Sequence, residues 1–307
     1  MSREPYSAQL QPDGEIVPCA ICGHAETELL YAKSGYGIGR CIQCGLVYAN
    51  PRAPQEKILA RYSPEYFWTE YLPSLGVFDG HYDLTAFDAR YGVLLTMLAQ
   101  RTAGRRLIEV GSGAGFFLKA AERAGWQVKG VELSAEGARF ATERLELDIL
   151  TERAENLPVE PGSYDIAAMF EVIEHLFDPR AVLSSLARAL VSGGTLVITT
   201  PNFDSASRHL LGVAWAVLSP LEHVYYFREH SLRRLLESTG FKDVQFVRQH
   251  VNWGPQETIN FRYTHAPDGM RARLCELLVR TGGNPLAHAL QRFGRQDTVL
   301  CFARKSG

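Results

Sequence analysis

Residues 107–132 read LIEVGSGAGFFLKAAERAGWQVKGVE, and the rest of the chain is arranged around them. Leu107 to Val110 is a short apolar-leaning run that reads as a buried parallel strand. Gly111, Gly113 and Gly115 follow at alternate positions, and a helical run carrying Phe116, Leu118, Ala120 and Ala121 ends at Gly125. Gln127 to Val131 reads as the next strand, closed by Glu132. Glycines permit positive φ and let a ligand approach the main chain. An acid ending the second strand can accept hydrogen bonds from both hydroxyls of a ribose. The unit therefore predicts a nucleotide-like ligand at the carboxyl end of a parallel sheet. Dinucleotide sites carry G-x-G-x-x-G, whereas the spacing here is G-x-G-x-G, preceded by the acidic Glu109.

Glu109-Val-Gly-Ser-Gly-Ala-Gly115 with the later Val131-Glu132 resembles the first motif of class I S-adenosylmethionine (SAM) methyltransferases. The resemblance implies an α/β fold: a seven-stranded Rossmann-like sheet, its last strand antiparallel, with helices on both faces. By position, Glu109, Gly111, Gly113 and Gly115 would hold the methionyl end of SAM and Glu132 the ribose. Ser112, Ala114, Phe116, Leu133, Ala154, Glu155 and Phe170 complete the implied cofactor contacts. Ser134 is a candidate N-cap for a helix through Leu145. Further strands are expected at 148–150, 164–170, 193–202 (after a glycine turn at Gly193-Gly194), 241–250 and 298–304. One departure concerns adenine: the family places an acid just before Ala154, where this chain has Arg153, so Glu155 or a backbone carbonyl would have to serve.

Composition bounds the rest. The 307 residues carry 32 Lys and Arg against 34 Asp and Glu, a net charge of −2. That gives no global electrostatic case for nucleic acid or an anionic membrane. The longest apolar stretch, around Leu210 to Leu221, is broken by Gly212 and Pro220 and is too short to span a bilayer. The first fifteen residues lack the apolar segment of a signal peptide, so a cytoplasmic protein is expected. Four of six cysteines form two C-x-x-C pairs, Cys19/Cys22 and Cys41/Cys44, separated by eighteen residues and each followed by a glycine. This is the spacing of a four-thiolate zinc ribbon. Cys275 and Cys301 stand alone and are read as core residues.

Along the chain, residues 1–15 read as a flexible N-terminus and 16–54 as the zinc ribbon, closed by Asn50-Pro51-Arg52-Ala53-Pro54. The passage from Cys41 through Pro54 resembles the zinc-bearing start of bacterial methyltransferases of small-molecule and polysaccharide pathways. Residues 55–100 carry helices and a cluster of Tyr62, Tyr66, Phe67, Trp68 and Tyr71, either a plug between ribbon and main domain or a lid over the ligands. The methyltransferase domain would occupy 101–307, with insertions at 203–229 and 251–296 shaping a substrate pocket.

The chemistry is expected just after the fourth strand, in Phe170-Glu171-Val172-Ile173-Glu174-His175. On a helical turn Glu171, Glu174 and His175 would share one face and could ligate a divalent cation or act on the acceptor directly. The E-x-x-E-H string resembles ubiquinone-pathway O-methyltransferases and small-RNA 2′-O-methyltransferases, where it contributes metal ligands beside a later histidine. His223 is the first candidate for that histidine and His230 the second. The expectation is methyl transfer from SAM to a small-molecule acceptor, with a hydroxyl oxygen favoured. Sugar C- or N-methylation, RNA methylation through the ribbon, and a SAM-binding partner protein without turnover stand as alternatives. Residues 1–60 hold five Lys or Arg against six Asp or Glu, which opposes an RNA-tracking ribbon.

Overall fold

The computed structural model describes residues 10–158, 160–248 and 292–307, together with 277, 289 and 290. Most of the insertion expected at 251–296, and Cys275, lie outside the described residues.

Seven strands form the central sheet: β4 (Arg106–Val110), β5 (Gln127–Glu132), β6 (Ile149–Thr151), β7 (Tyr164–Phe170), β8 (Leu190–Pro201), β10 (Phe241–Phe246) and β11 (Thr298–Lys305). Their order is β10-β11-β8-β7-β4-β5-β6, and β11 runs antiparallel to both of its neighbours, as the family pattern implies. Alternation along the strands separates two cores. Ile108, Val110, Ala167, Met169, Leu196, Ile198, Cys301 and Ala303 face a cluster with α5 (Pro179–Ala189) and α7 (Glu229–Glu237). Leu107, Ile166, Ala168, Val197, Leu300 and Phe302 face the other, with α2 (Leu84–Ala99), α3 (Phe116–Arg123) and α4 (Ala135–Leu145). Helices therefore cover both faces. Ser134 caps α4, its Oγ accepting from Gly137 N–H at 3.2 Å.

Gly193 and Gly194 do not form a turn ahead of their strand; they lie inside β8. The register moves from Tyr164↔Leu190 to Ile166↔Thr195, two steps on β7 against five on β8, so the glycines absorb a bulge, with Gly193 at φ 72°.

A second, antiparallel sheet is built from β1 (Thr27–Lys33), β2 (Tyr36–Cys41), β3 (Val47–Ala49) and β9 (Tyr225–Tyr226). The first three belong to the N-terminal module. The fourth comes from the 203–229 insertion, which also holds α6 (Ala206–Leu211). At the chain start, Gln11 to Glu15 are held against the module rather than trailing free: Gln11 N–H donates to Gly35 O at 2.7 Å, and Glu15 forms a bridge with Arg52. After β3 come α1 (Gln55–Leu59) and a helical segment over 64–74 whose middle, Phe67–Tyr71, is a π-turn. Among the described residues no helix is long and apolar enough to cross a membrane.

Candidate active site and four-cysteine cluster

At the carboxyl end of the sheet lies a cavity of about 1090 Å³ that runs from the glycine turn to the loop after β7. Gly111, Gly113 and Gly115 all take positive φ, from 54° to 81°, which an L side chain adopts only under strain. Gly111 and Gly113 line the cavity, and a Cβ on either would strike Val172 or the Tyr71 hydroxyl. Glu109, Ser112, Phe116, Glu132, Leu133, Ala154, Glu155 and Phe170 also line it. Ala114 and Gly115 do not: Ala114 is fully buried, and Gly115 packs against Leu147 and Ala141. Their work is to seat the turn on α3 and α4.

Two buried acids mark the cavity floor. Glu132 accepts from Gly113 N–H at 2.6 Å through Oε2 and from Ser134 N–H at 2.7 Å through Oε1. Burial nevertheless raises its pKa, and burial with the nearby Glu132 charge pushes Glu109 well above the usual carboxyl range. Glu109 Oε2 is buried without a hydrogen-bond partner among the described residues. An unpartnered Glu109 oxygen in the cavity lining fits a ligand that donates hydrogen bonds or carries positive charge. SAM, with its ammonium and sulfonium, fits that description.

Arg153 sits at the cavity wall and pairs with Glu155 at 3.7 Å, while Glu155 Oε1 accepts from Phe177 N–H at 3.2 Å. Tyr71, singled out in the sequence only as part of the aromatic cluster, has a hydroxyl that accepts from Ala114 N–H at 3.3 Å and so lies across the glycine turn. Only the path of the 64–74 segment puts it there.

Residues 171–178 contain no helix, contrary to the expected helical turn. Glu171 takes a left-handed φ of 55°, its N–H donates to Thr199 O at 3.0 Å, and the chain turns at once. Glu171 lines the cavity but stands apart from the cluster that does form, which joins Glu174, His175 and His223. One ligand atom from each lies within 4.8 Å of the others. Glu174 is 1% exposed, and its Oε2 accepts from Thr200 Oγ1 at 2.9 Å. His175 Nδ1 lies 2.8 Å from Glu222 O, and His223 Nδ1 lies 2.8 Å from Val217 O. A carbonyl only accepts, so both Nδ1 atoms carry the proton and both Nε2 atoms present lone pairs. Burial, with His223 beside it, pushes the His175 pKa down to about 3, so the ring is neutral near pH 7. His230, the second candidate, lies outside this cluster.

Cys19, Cys22, Cys41 and Cys44 converge with sulfurs within 4.8 Å of one another, Cys19 to Cys44 at 3.3 Å and Cys22 to Cys41 at 3.5 Å. All four are free thiols. A tetrahedral site with metal–sulfur bonds of about 2.3 Å spaces its sulfurs by about 3.8 Å, so the cluster is compatible with a zinc ribbon. Gly23 and Gly45 turn the two knuckles at φ 72° and 78°. Backbone N–H groups of Ile21 and Cys22 point at Cys19 Sγ, and those of Gln43 and Cys44 at Cys41 Sγ.

Comparison with known proteins agrees with this geometry. A family described as "Methyltransferase domain" matches residues 86–246, just over half the chain. The chain belongs to that methyltransferase-domain family, in its SAM-dependent class I form. Among curated proteins it is similar to the ubiquinone biosynthesis O-methyltransferases of Idiomarina loihiensis (26% identity over 46% of this chain and 63% of that one) and Ralstonia nicotianae (31% over 47% and 65%). The match thus spans just under two thirds of those relatives. Among solved structures, a SAM-dependent methyltransferase of Thermotoga maritima shares the fold, with a TM-score of 0.50 and 20% identity over 81% of this chain and 98% of that one.

Proposed function

We propose that this protein transfers the methyl group of SAM to a hydroxyl oxygen of a small biosynthetic molecule. The observation that carries the reading is the convergence of Glu174, His175 and His223 in the same cavity as the glycine turn, with both imidazole Nε2 atoms presented. The likeness to ubiquinone biosynthesis O-methyltransferases supports oxygen as the acceptor atom. SAM supplies a methyl group already activated on sulfur, so the protein's first task is to align donor and acceptor. Glu109 and the glycine turn would hold the methionyl end, and Glu132 the ribose.

A hydroxyl acceptor must also lose its proton. His175 as an unaided base is a poor match, because a pKa near 3 lies far from the working pH. The neutral imidazole is instead the form that ligates metals. Glu174, His175 and His223 would hold a divalent cation, which would lower the pKa of the acceptor hydroxyl. The four thiols would hold a structural zinc.

The test uses Glu174→Gln and His223→Ala in the full chain. Affinity for S-adenosylhomocysteine should stay within about threefold. Manganese binding, followed by electron paramagnetic resonance, should be lost. Turnover on a panel of hydroxyl acceptors should fall about 100-fold or more. Undiminished turnover after the cation is removed would defeat the cation and return proton removal to the histidines. Methylation of carbon or nitrogen acceptors instead would refute the oxygen reading.

A further inference from the structure

The two buried members of the Glu174/His175/His223 cluster are joined through the backbone of Val224. Val224 N–H donates to Glu174 O at 2.8 Å, Tyr225 N–H donates to the same oxygen at 3.0 Å, and His223 is the preceding residue. The other side of that backbone is closed by the N-terminal module: Ala49 N–H donates to Val224 O at 2.9 Å. From there β3 and β9 pair antiparallel, Tyr48 opposite Tyr225 and Val47 opposite Tyr226, and the Tyr48 and Tyr225 rings stack at 6.3 Å. Strand β3 begins three residues after Cys44, Cys41 N–H donates to Leu46 O at 2.8 Å, and the Tyr48 hydroxyl donates to Val17 O, two residues before Cys19. Cys19, Cys41, Cys44, Tyr48, Val224, Tyr225, Ile173 and Leu176 belong to one continuous core.

We propose that the four-cysteine module is a positioning element of the reaction centre. Thiolates gathered on a metal hold β3, β3 holds β9, and β9 sets His223 against Glu174. Loss of the metal, or oxidation of the thiols, would then loosen the acceptor side of the cavity and leave the glycine turn intact. Tyr48 and Tyr225 are positioning residues in this scheme, acting through the Val224 backbone. The coupling is defined by backbone geometry; its consequence for methyl transfer rests on the function proposed above.

Hydrogen–deuterium exchange on the full chain, with and without its zinc, tests the coupling directly, because the amides of Val224 and Tyr225 are the bonded groups. Zinc removal should speed exchange about tenfold or more in peptides covering 172–176 and 222–227. Exchange over 107–123 should not change, and S-adenosylhomocysteine affinity should hold within about twofold. Acceleration confined to 17–49 would overturn the proposal. If zinc removal also opens 107–123, Tyr48→Leu decides, since it keeps all four thiols. Faster exchange at 172–176 and 222–227, with kcat reduced and KM for SAM unchanged, would support the coupling; no change in those peptides would end it. Coupled exchange in a chain that methylates no hydroxyl acceptor would leave the coupling standing and refute the proposed reaction.

Discussion

Glu109 shows what one residue contributes in this cavity. Its carboxyl is 3% exposed, and burial together with Glu132 holds its pKa well above the usual 4.5. The folded chain therefore binds that proton more tightly than the unfolded chain does. The stability this confers is complete below the unfolded value and is lost as pH rises through the folded one. Glu109→Gln removes the titration. In the ligand-free protein the variant should gain on the parent with pH, its advantage in Tm being larger near pH 8 than near pH 5 by about a few degrees. Melts at the two pH values check this, and an equal difference at both would show that the carboxylate is already compensated without ligand. Glu171 teaches the converse at the same scale. E-x-x-E-H places three ligating groups together on a helix, but Glu171 takes a left-handed φ, which a sequence rarely announces for glutamate, and the cluster that forms holds only the other two with His223.

At the scale of elements, the segment over 64–74 could be read from its aromatics as plug or lid. Its anchor is Phe67, 3% exposed, with ring centroids 5.5 Å from Tyr71 and 5.7 Å from Phe140 on α4. Trp68 Nε1 donates to Glu136 Oε1 at 2.6 Å on the same helix. Tyr71 in turn reaches the glycine turn. The segment packs on the methyltransferase core, and Phe67 and Tyr71 also line the cavity. Phe67→Ala should therefore cost about 3 kcal/mol of global stability, read as a lower urea midpoint. An unchanged midpoint with weaker ligand binding would describe a detachable lid. The bulge in β8 belongs to the same scale: Gly193-Gly194 is a turn signal in sequence, and only the pairing with β7 decides that the strand runs through it.

The whole molecule is knit more tightly than its segments imply. The N-terminal sheet completes itself with Tyr225–Tyr226, and the core holding three of the four clustered cysteines also holds Val182, Leu183 and Leu186 of α5. Arg180 adds a bond from its Nη1 to Ala20 O at 3.4 Å. The N-terminal module and the main sheet should then unfold together. In cobalt-substituted protein, loss of the thiolate–metal absorption and loss of far-ultraviolet circular dichroism should share one midpoint on heating. Two separated transitions would make the N-terminal module an independent unit.

Local patterns in the chain were enough for much of this. The strand–glycine–helix–strand unit, the Ser134 cap and the paired C-x-x-C knuckles each depend on residues near in sequence, whose φ preferences and side-chain reach are set by neighbours. Such local patterns fixed the glycine-turn side of the cavity and the gathering of the four cysteines. For Glu174, His175 and His223 the resemblance supplied the candidate residues, with Glu171 among them, and tertiary structure decided which of them meet. His223 meets Glu174 and His175 across nearly fifty residues of chain, through a strand of two residues whose partner lies in the N-terminal module. Strand pairing at that range depends on the packing of the whole chain, and a two-residue strand carries no periodicity of its own to read.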